Sequence, residues 1–210
     1  LRRGRVYRSS PFVLQACHLQ LLQSCCTLPD IPCPADLDPM TQTPPRPVPP
    51  ASREDLFRYL DALGIDHETR EHAPVFTVEE GEDIKHDMPG GHTKNLFLKD
   101  KKGALILISA LQSTQIALKH LHQTLGCGRL SFGKAELLEE TLGVRPGSVT
   151  AFALINDPDQ QVTLALDAGL LEAEMLFFHP LVNDLTLGVT ADGLKSFLAL
   201  SGHHPLVITL

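Results

Sequence analysis

An α+β domain, with a mixed and largely antiparallel sheet flanked by helices, is the fold that this sequence predicts, and three observations carry the prediction. From residue 52 onward, apolar β-type runs outnumber helical ones, most neighbouring runs are joined by short turns, and two pairs of runs flank hairpin-type turns. The 210 residues, 43% apolar and 20% charged, are enough to fill one core.

The first helix signal opens at Ser52. Ser52-Arg53-Glu54-Asp55 offers an N-cap and an acid three residues on, ahead of Leu56, Leu60 and Leu63, and Gly64 closes the run. Residues 66–78 lack a helical period and contain Pro74, which reads as a strand and then a turn. Runs 95–99 and 104–109 surround Asp100-Lys101-Lys102-Gly103, a hairpin signature. Residues 115–125 and 134–142 read as helices ended by Gly126 and Gly143. Runs 149–155 and 161–166, separated by Asn156-Asp157-Pro158-Asp159, predict a second hairpin. Residues 175–178, 185–189 and 206–209 read as strands, and 191–200 as a last helix.

Residues 1–51 differ in kind. The first 39 carry four arginines against three aspartates, and Met40 opens a Thr/Pro tract that runs to Pro50. The expectation is a disordered or non-native extension followed by a Pro-rich linker, with Met40 as the natural start and 52–210 as the folded domain. An Arg-bearing mitochondrial presequence is the rival reading of the first residues.

Composition excludes several function classes. A net charge of −7 and a pI near 5.8 argue against a general nucleic-acid coat, so any RNA contact must be local. No run is apolar enough to span a membrane. Four of the five cysteines precede residue 40, so the body has only Cys127 and no disulfide or zinc framework, which suits a reducing compartment such as cytosol. Gly128 to Lys134 matches a phosphate-loop pattern but ends in Ala135, where magnesium coordination needs a hydroxyl. No G-x-S-x-G, H-E-x-x-H or C-x-x-C motif occurs. His67, His72, His86 and His92 have no metal-ligand spacing.

Two clusters remain as candidate chemistry. Lys85, Lys94, Lys99, Lys101 and Lys102, with His86 and His92, make a basic island in an acidic chain. The hairpin-tip lysines also read as a solvated turn. Lys94 follows the flexible Pro89-Gly90-Gly91-His92-Thr93 and opens an apolar strand, where a cation suits a phosphate or a developing oxyanion. In Phe177-Phe178-His179-Pro180-Leu181-Val182-Asn183, a histidine leaves an apolar strand at a proline turn. It reads either as a satisfied boundary residue or as a substrate-orienting one.

His92-Thr93-Lys94-Asn95-Leu96-Phe97-Leu98, Pro146-Gly147-Ser148-Val149-Thr150, residues 153–157 (Ala-Leu-Ile-Asn-Asp) and His179-Pro180-Leu181-Val182-Asn183 follow one another in this order. Together they resemble the YbaK/ProX aminoacyl-tRNA editing-domain family, most closely its free-standing prolyl-tRNA editing branch, which removes alanine from proline tRNA. The resemblance covers about residues 52–210. It implies a compact α/β domain that hydrolyses the aminoacyl ester at the acceptor end of a mischarged tRNA in the cytoplasm, with no metal or cofactor and no DNA or membrane partner. Prolyl-tRNA synthetase is a further partner it suggests. Lys94 and His179 are implied as catalytic, with His92, Asn95, Gly147, Ser148 and Asn183 binding substrate. The family's Gly-x-x-x-Pro loop begins at Gly147 but has Ala151 in place of proline, which removes a fixed φ. A non-catalytic tRNA- or synthetase-binding module of the same fold is the alternative.

Overall fold

The computed structural model describes residues 43–73 and 88–210, and Thr43–Leu210 form one compact unit. Helix α1 (Arg53–Ala62) begins with the capping box read from the sequence. The Ser52 hydroxyl accepts from the Asp55 N–H at 3.1 Å, and the Asp55 carboxylate accepts from the Ser52 N–H at 2.9 Å.

Among the described residues the strands form one eight-stranded sheet. Its order is β1 (His67–Glu71), β7 (Leu185–Thr190), β6 (Met175–Phe178), β2 (Gly91–Asp100), β3 (Leu105–Leu111), β5 (Val162–Asp167) and β8 (Leu206–Ile208). The short β4 (Leu130–Phe132) pairs with β2 as well. The ladders β1–β7, β6–β7, β2–β3 and β2–β4 are antiparallel, whereas β2–β6, β3–β5 and β5–β8 are parallel. The sheet is therefore mixed and mostly antiparallel, and the hairpin at Asp100 to Gly103 joins β2 to β3 as expected.

Strand alternation sorts apolar side chains onto two faces. Phe97 and Leu107 enter the larger core, with Leu56 and Leu60 of α1, Leu138 and Leu142 of α3 (Ala135–Leu142), and Leu194, Phe197 and Leu198 of α4 (Ala191–Leu200). Leu98, Ile106 and Ile108 enter a smaller cluster capped by Leu121 of α2 (Leu118–Thr124). Phe152 is the hub of the larger core, fully buried, edge-on to Phe178 at 5.3 Å and 4.8 Å from the ring of Phe197.

Two sequence expectations are corrected. The second hairpin does not form, because residues Ala151–Asn156 are a 3-10 helix and β5 pairs in parallel with β3. The run from Ala151 to Ile155 is buried on every side, so it has no alternation to distinguish a core strand from a core turn. Thr150 decides the outcome locally: its hydroxyl accepts from the Phe152 N–H and starts the turn. The second correction is in α2, which begins at Leu118 and not at 115.

The described part of the Pro-rich segment, from residue 43, contacts the folded domain. Ala51 is buried, its N–H donates to the Asn156 side chain at 2.7 Å, and that side chain donates to the Leu142 carbonyl at 2.8 Å. The Arg46 guanidinium meets the Ser201 carbonyl.

A Ser-His-Asp array closes the C-terminal end of the core. Ser201 Oγ lies 3.4 Å from His203 Nδ1, and His203 Nε2 lies 3.5 Å from Asp157 Oδ2. These three residues are 2%, 4% and 1% exposed, and the hydroxyl donates to the Leu198 carbonyl, so the array is a structural lock with no access for substrate. Asp157 also accepts from the Gln161 and Val162 N–H groups, which aligns the start of β5.

Replacing Phe152 by Ala should cost about 3–5 kcal/mol, because the cavity opens between three packed elements; denaturant midpoints measure it. Burial holds the His203 imidazole below its ordinary pKa, outweighing the hydrogen bond and charge of Asp157. The unfolded chain therefore binds the proton more readily, and stability is complete above a pH of about 6.5 and falls below it. The thermal midpoint should drop between about pH 7.5 and pH 5.5, and a His203→Gln variant, which cannot titrate there, should show a smaller drop.

Candidate functional site

Two glycines bring the start of β2 flush against β6. A Cβ on Gly90 would lie 2.7 Å from the Phe177 ring and 2.9 Å from the Met175 carbonyl, and Gly91 is crowded on three sides at 3.0 Å. The parallel ladder runs only through Gly91 and His92. Beyond it the Thr93 hydroxyl donates to the Phe177 carbonyl at 2.8 Å, so a side chain takes over the acceptor that a backbone amide would have satisfied. The His92 ring packs at a tilt of 32° against Phe177 with ring centres 4.8 Å apart, and its Nε2 is 2.8 Å from the Met88 carbonyl.

Lys94 is half-buried. Its ammonium donates to the Gln112 carbonyl at 3.1 Å and to the Thr114 carbonyl. That turn is itself fixed from both sides. The Gln112 N–H donates to the His92 carbonyl at 2.8 Å, and the Thr114 hydroxyl donates at 2.8 Å to Asp167, a buried carboxylate at the end of β5. A cleft of about 710 Å³ opens here, lined by Gly91, His92, Leu111, Gln112, Ala173 and Met175 among others. Three ammonium protons and two carbonyl partners leave Lys94 one donor uncommitted to these carbonyls.

The second group gathers at a different cleft, of about 450 Å³, where Ser148 and Asn183 both form part of the wall. Gly147 has φ +92°, which few L side chains adopt, and a Cβ there would come 3.7 Å from the Asn183 amide nitrogen. The Ser148 N–H donates to the Arg145 carbonyl at 3.0 Å and closes the turn. Across the cleft, Leu181 has φ +69° although it is not glycine, and its side chain is only 8% exposed. Burial of that side chain holds the 179–184 loop in a conformation that costs on the order of 1–3 kcal/mol. Ala151, which the resemblance sets against a proline, is fully buried just after Thr150, whose φ and ψ (−154° and 154°) are in the extended region.

His179 lies at the base of this loop. Its Nδ1 is buried without a partner among the described residues, and burial lowers the imidazole pKa, a backbone hydrogen bond at Leu185 working in the opposite direction and the nearby His72 lowering it further. The ring is neutral at neutral pH, with one donor and one acceptor nitrogen. His72 reaches the buried Thr186 hydroxyl at 3.0 Å on the same part of the sheet.

The structure thus brings Gly147, Ser148 and Asn183 together, and His92 together with the turn that anchors Lys94. Neither described cleft contains His179, and no described contact joins it to Lys94. Asn95 is separated from Lys94 by strand alternation. It sits opposite Ser109, whose hydroxyl donates to its side-chain oxygen at 2.5 Å, while its amide donates to Thr93 Oγ1 at 3.3 Å. Lys85 and His86 of the basic island lie outside the described residues. Gln112, Thr114 and Asp167, which fix Lys94, were not singled out from sequence. Cys127 is no activated nucleophile, since desolvation and the Asp100 charge both raise its thiol pKa. Among the described residues no cluster of three His, Cys, Asp or Glu side chains could hold a metal ion.

A family model described as an aminoacyl-tRNA editing domain matches residues 72–197. A Xenopus laevis protein named prolyl-tRNA synthetase associated domain-containing protein 1 is 41% identical over 161 residues, 74% of this chain and 95% of that protein. The prolyl-tRNA editing protein ProX of Acetoanaerobium sticklandii is 31% identical over 153 residues, 72% of this chain and 93% of that protein. The solved structure of a hypothetical protein superposes with a TM-score of 0.59 at 15% identity, covering 73% of this chain and 97% of that one, which supports the fold alone. With most of the chain aligned to relatives above 30% identity and more than half of it matched by the family model, the protein belongs to the aminoacyl-tRNA editing domain family.

Proposed function

We propose that this protein is a trans-acting editing hydrolase that cleaves the aminoacyl ester of mischarged tRNA, with alanyl-tRNA of the proline acceptor as its substrate. The observation that carries the reading is the state of Lys94: a half-buried ammonium held by two neutral carbonyls and, among the described residues, by no carboxylate. An ion pair would cancel its charge. Carbonyl acceptors fix its position while leaving the full positive charge, and one donor, for a phosphate or an oxyanion at the acceptor end. The names of the Acetoanaerobium and Xenopus relatives support an acceptor in the proline system and an association with prolyl-tRNA synthetase.

The chemistry that follows is positional. Lys94 steadies charge developing on the ester, the Gly147 turn lines the separate cleft beside Asn183, and the substrate's own ribose hydroxyl assists the attacking water. His179 is neutral and so acts as a hydrogen-bonding partner for the aminoacyl end, with Asn183 supporting the loop. His92 and Ser148 contribute walls, and Asn95 acts from the opposite face by fixing Thr93 and Ser109. Exclusion of proline by a small pocket is easier than separation of alanine from serine or cysteine, for which a single small group offers only about 1–3 kcal/mol.

A Lys94→Ala variant should lose about 10²- to 10³-fold in single-turnover deacylation of alanyl-tRNA while keeping its thermal midpoint within a few degrees. Unchanged deacylation would remove Lys94 from the mechanism, and no hydrolysis by the unaltered protein alongside intact tRNA binding would make it a binding module. Rates on alanyl-, seryl- and cysteinyl-tRNA measured side by side should favour alanine about tenfold or more. Equal rates on all three would end the assignment of substrate.

A further inference from the structure

The far end of β2 carries a second concentration of charge that the ester chemistry does not use. Segments 99–105 and 128–134 together hold Lys99, Lys101, Lys102, Arg129 and Lys134, with Asp100 as the sole acid. Lys99, Lys101, Lys102 and Arg129 are exposed, and none of them forms a salt bridge or hydrogen bond through its side chain among the described residues. Solvated cations are common, but unpaired ones in a chain of net charge −7 are a local reversal of sign.

The acid that could have offset them is turned inward. Asp100 is 6% exposed, and its carboxylate accepts from the N–H groups of Lys102 at 2.7 Å, Ala104 at 2.9 Å and Gly128 at 3.0 Å. Burial opposes its ionisation, yet these backbone donors outweigh burial and keep it charged. The carboxylate has a structural consequence: by binding Gly128 it ties the chain entering β4 to the hairpin tip. A Cβ on Gly128 would lie 3.5 Å from the Lys101 nitrogen, so Arg129 is delivered beside Lys101 and Lys102. Cations from two segments about thirty residues apart are thereby joined into one surface.

Next along β4 is Phe132, 63% exposed and paired with Leu98. An exposed aromatic next to unpaired cations is the combination that recognises nucleic acid, where ammonium and guanidinium groups meet phosphates and an aromatic face meets a sugar or an unstacked base. From Lys94 to Asp100 the span along β2 is roughly 20 Å at about 3.4 Å per residue. An RNA whose 3′ end is held near Lys94 can therefore meet the hairpin tip only with its body.

We infer that the tip of the β2–β3 hairpin and β4, through Lys101, Lys102, Arg129 and Phe132, is a docking surface for the phosphodiester backbone of tRNA, separate from the ester-cleaving site. This inference rests on the editing reading for the identity of the RNA, but it concerns binding and is testable without turnover. The surface makes affinity salt-dependent, since each cation that neutralises a phosphate releases counterions.

The experiment compares the unaltered protein, a Lys101→Glu/Lys102→Glu/Arg129→Glu triple variant and a Phe132→Ala variant. Binding of uncharged proline tRNA is measured by fluorescence anisotropy between about 50 and 200 mM salt. Hydrolysis is measured on full-length alanyl-tRNA and on an alanyl ester of the CCA trinucleotide. The triple variant should bind tRNA at least about tenfold more weakly at low salt, with the slope of log K against log salt reduced by about two. It should cleave the trinucleotide ester at the unaltered rate but lose kcat/KM on full-length tRNA. Phe132→Ala should weaken binding severalfold with the slope unchanged. All substituted side chains are exposed, and thermal midpoints verify folding. If the unaltered protein does not bind tRNA, or the triple variant binds it with the same affinity and slope, the surface is wrong whether or not the ester is cleaved. If binding depends on the surface but neither ester is cleaved, the editing reading fails and the surface stands.

Discussion

Strand β2 pairs with β3 along one edge from Thr93 to Lys99, but its other edge is divided between two partners, β6 at Gly91 and His92 and β4 from Leu98 to Asp100. A strand with a split edge must satisfy the middle of that edge by other means. Here the Thr93 hydroxyl reaches the Phe177 carbonyl, and the Phe97 carbonyl accepts from Gly133, whose lack of a side chain matters because a Cβ would sit 2.4 Å from the Phe97 ring. The division sets the distribution of function along the strand. One end opens beside β6 into a cleft, with Lys94 a few residues on, and the other ends in a cationic tip tied to β4.

The electrostatic logic differs at the two ends. Lys94 is immobilised, and immobilisation by dipoles rather than by an acid keeps its charge available inside a partly desolvated setting, where charge is worth more than in water. Its anchors are second-hand: the Thr114 carbonyl is in place because the Thr114 hydroxyl is bound to Asp167, and Asp167 also accepts from the Leu210 N–H. The carboxylate is thus one residue removed from the ammonium, close enough to hold the turn and not itself a partner of the amine. At the tip the cations are unconstrained, which suits long-range attraction of a polyanion better than the fixing of a single atom.

Elements with a local code were legible in the sequence. The Ser52 capping box fixes the start of α1 through two reciprocal hydrogen bonds within four residues, and the Asp100 to Gly103 turn fixes the first hairpin through the Asp100 carboxylate. The run at 151–156 escapes a local reading because β6 and α4, which set its environment together with α3, lie about twenty or more residues away, and full burial erases the alternation by which a strand is read. The same limit applies to the site. Gly147 and Asn183 belong to motifs that stand out locally, but the support of Lys94 by Asp167 spans more than seventy residues, and a polar residue ending an apolar strand was the sole sign of it.

The 147–150 turn and the 179–184 loop face each other, and each contains a backbone conformation that is costly by itself. At Gly147 the cost is avoided by having no side chain, so substitution there is strained whatever space is open. At Leu181 it is borne by burying the side chain in the larger core, which couples the loop after β6 to the packing of Phe152 and Phe178. A loop held this way has little freedom to adapt to a bound group. Rigidity on the Leu181 side offsets the freedom gained on the other, where Ala151 lacks the ring that would fix φ, because complete burial of Ala151 and the hydroxyl cap from Thr150 restrict the same bond by packing. Preorganisation of this cleft therefore depends on the core beneath it more than on the identity of any one loop residue.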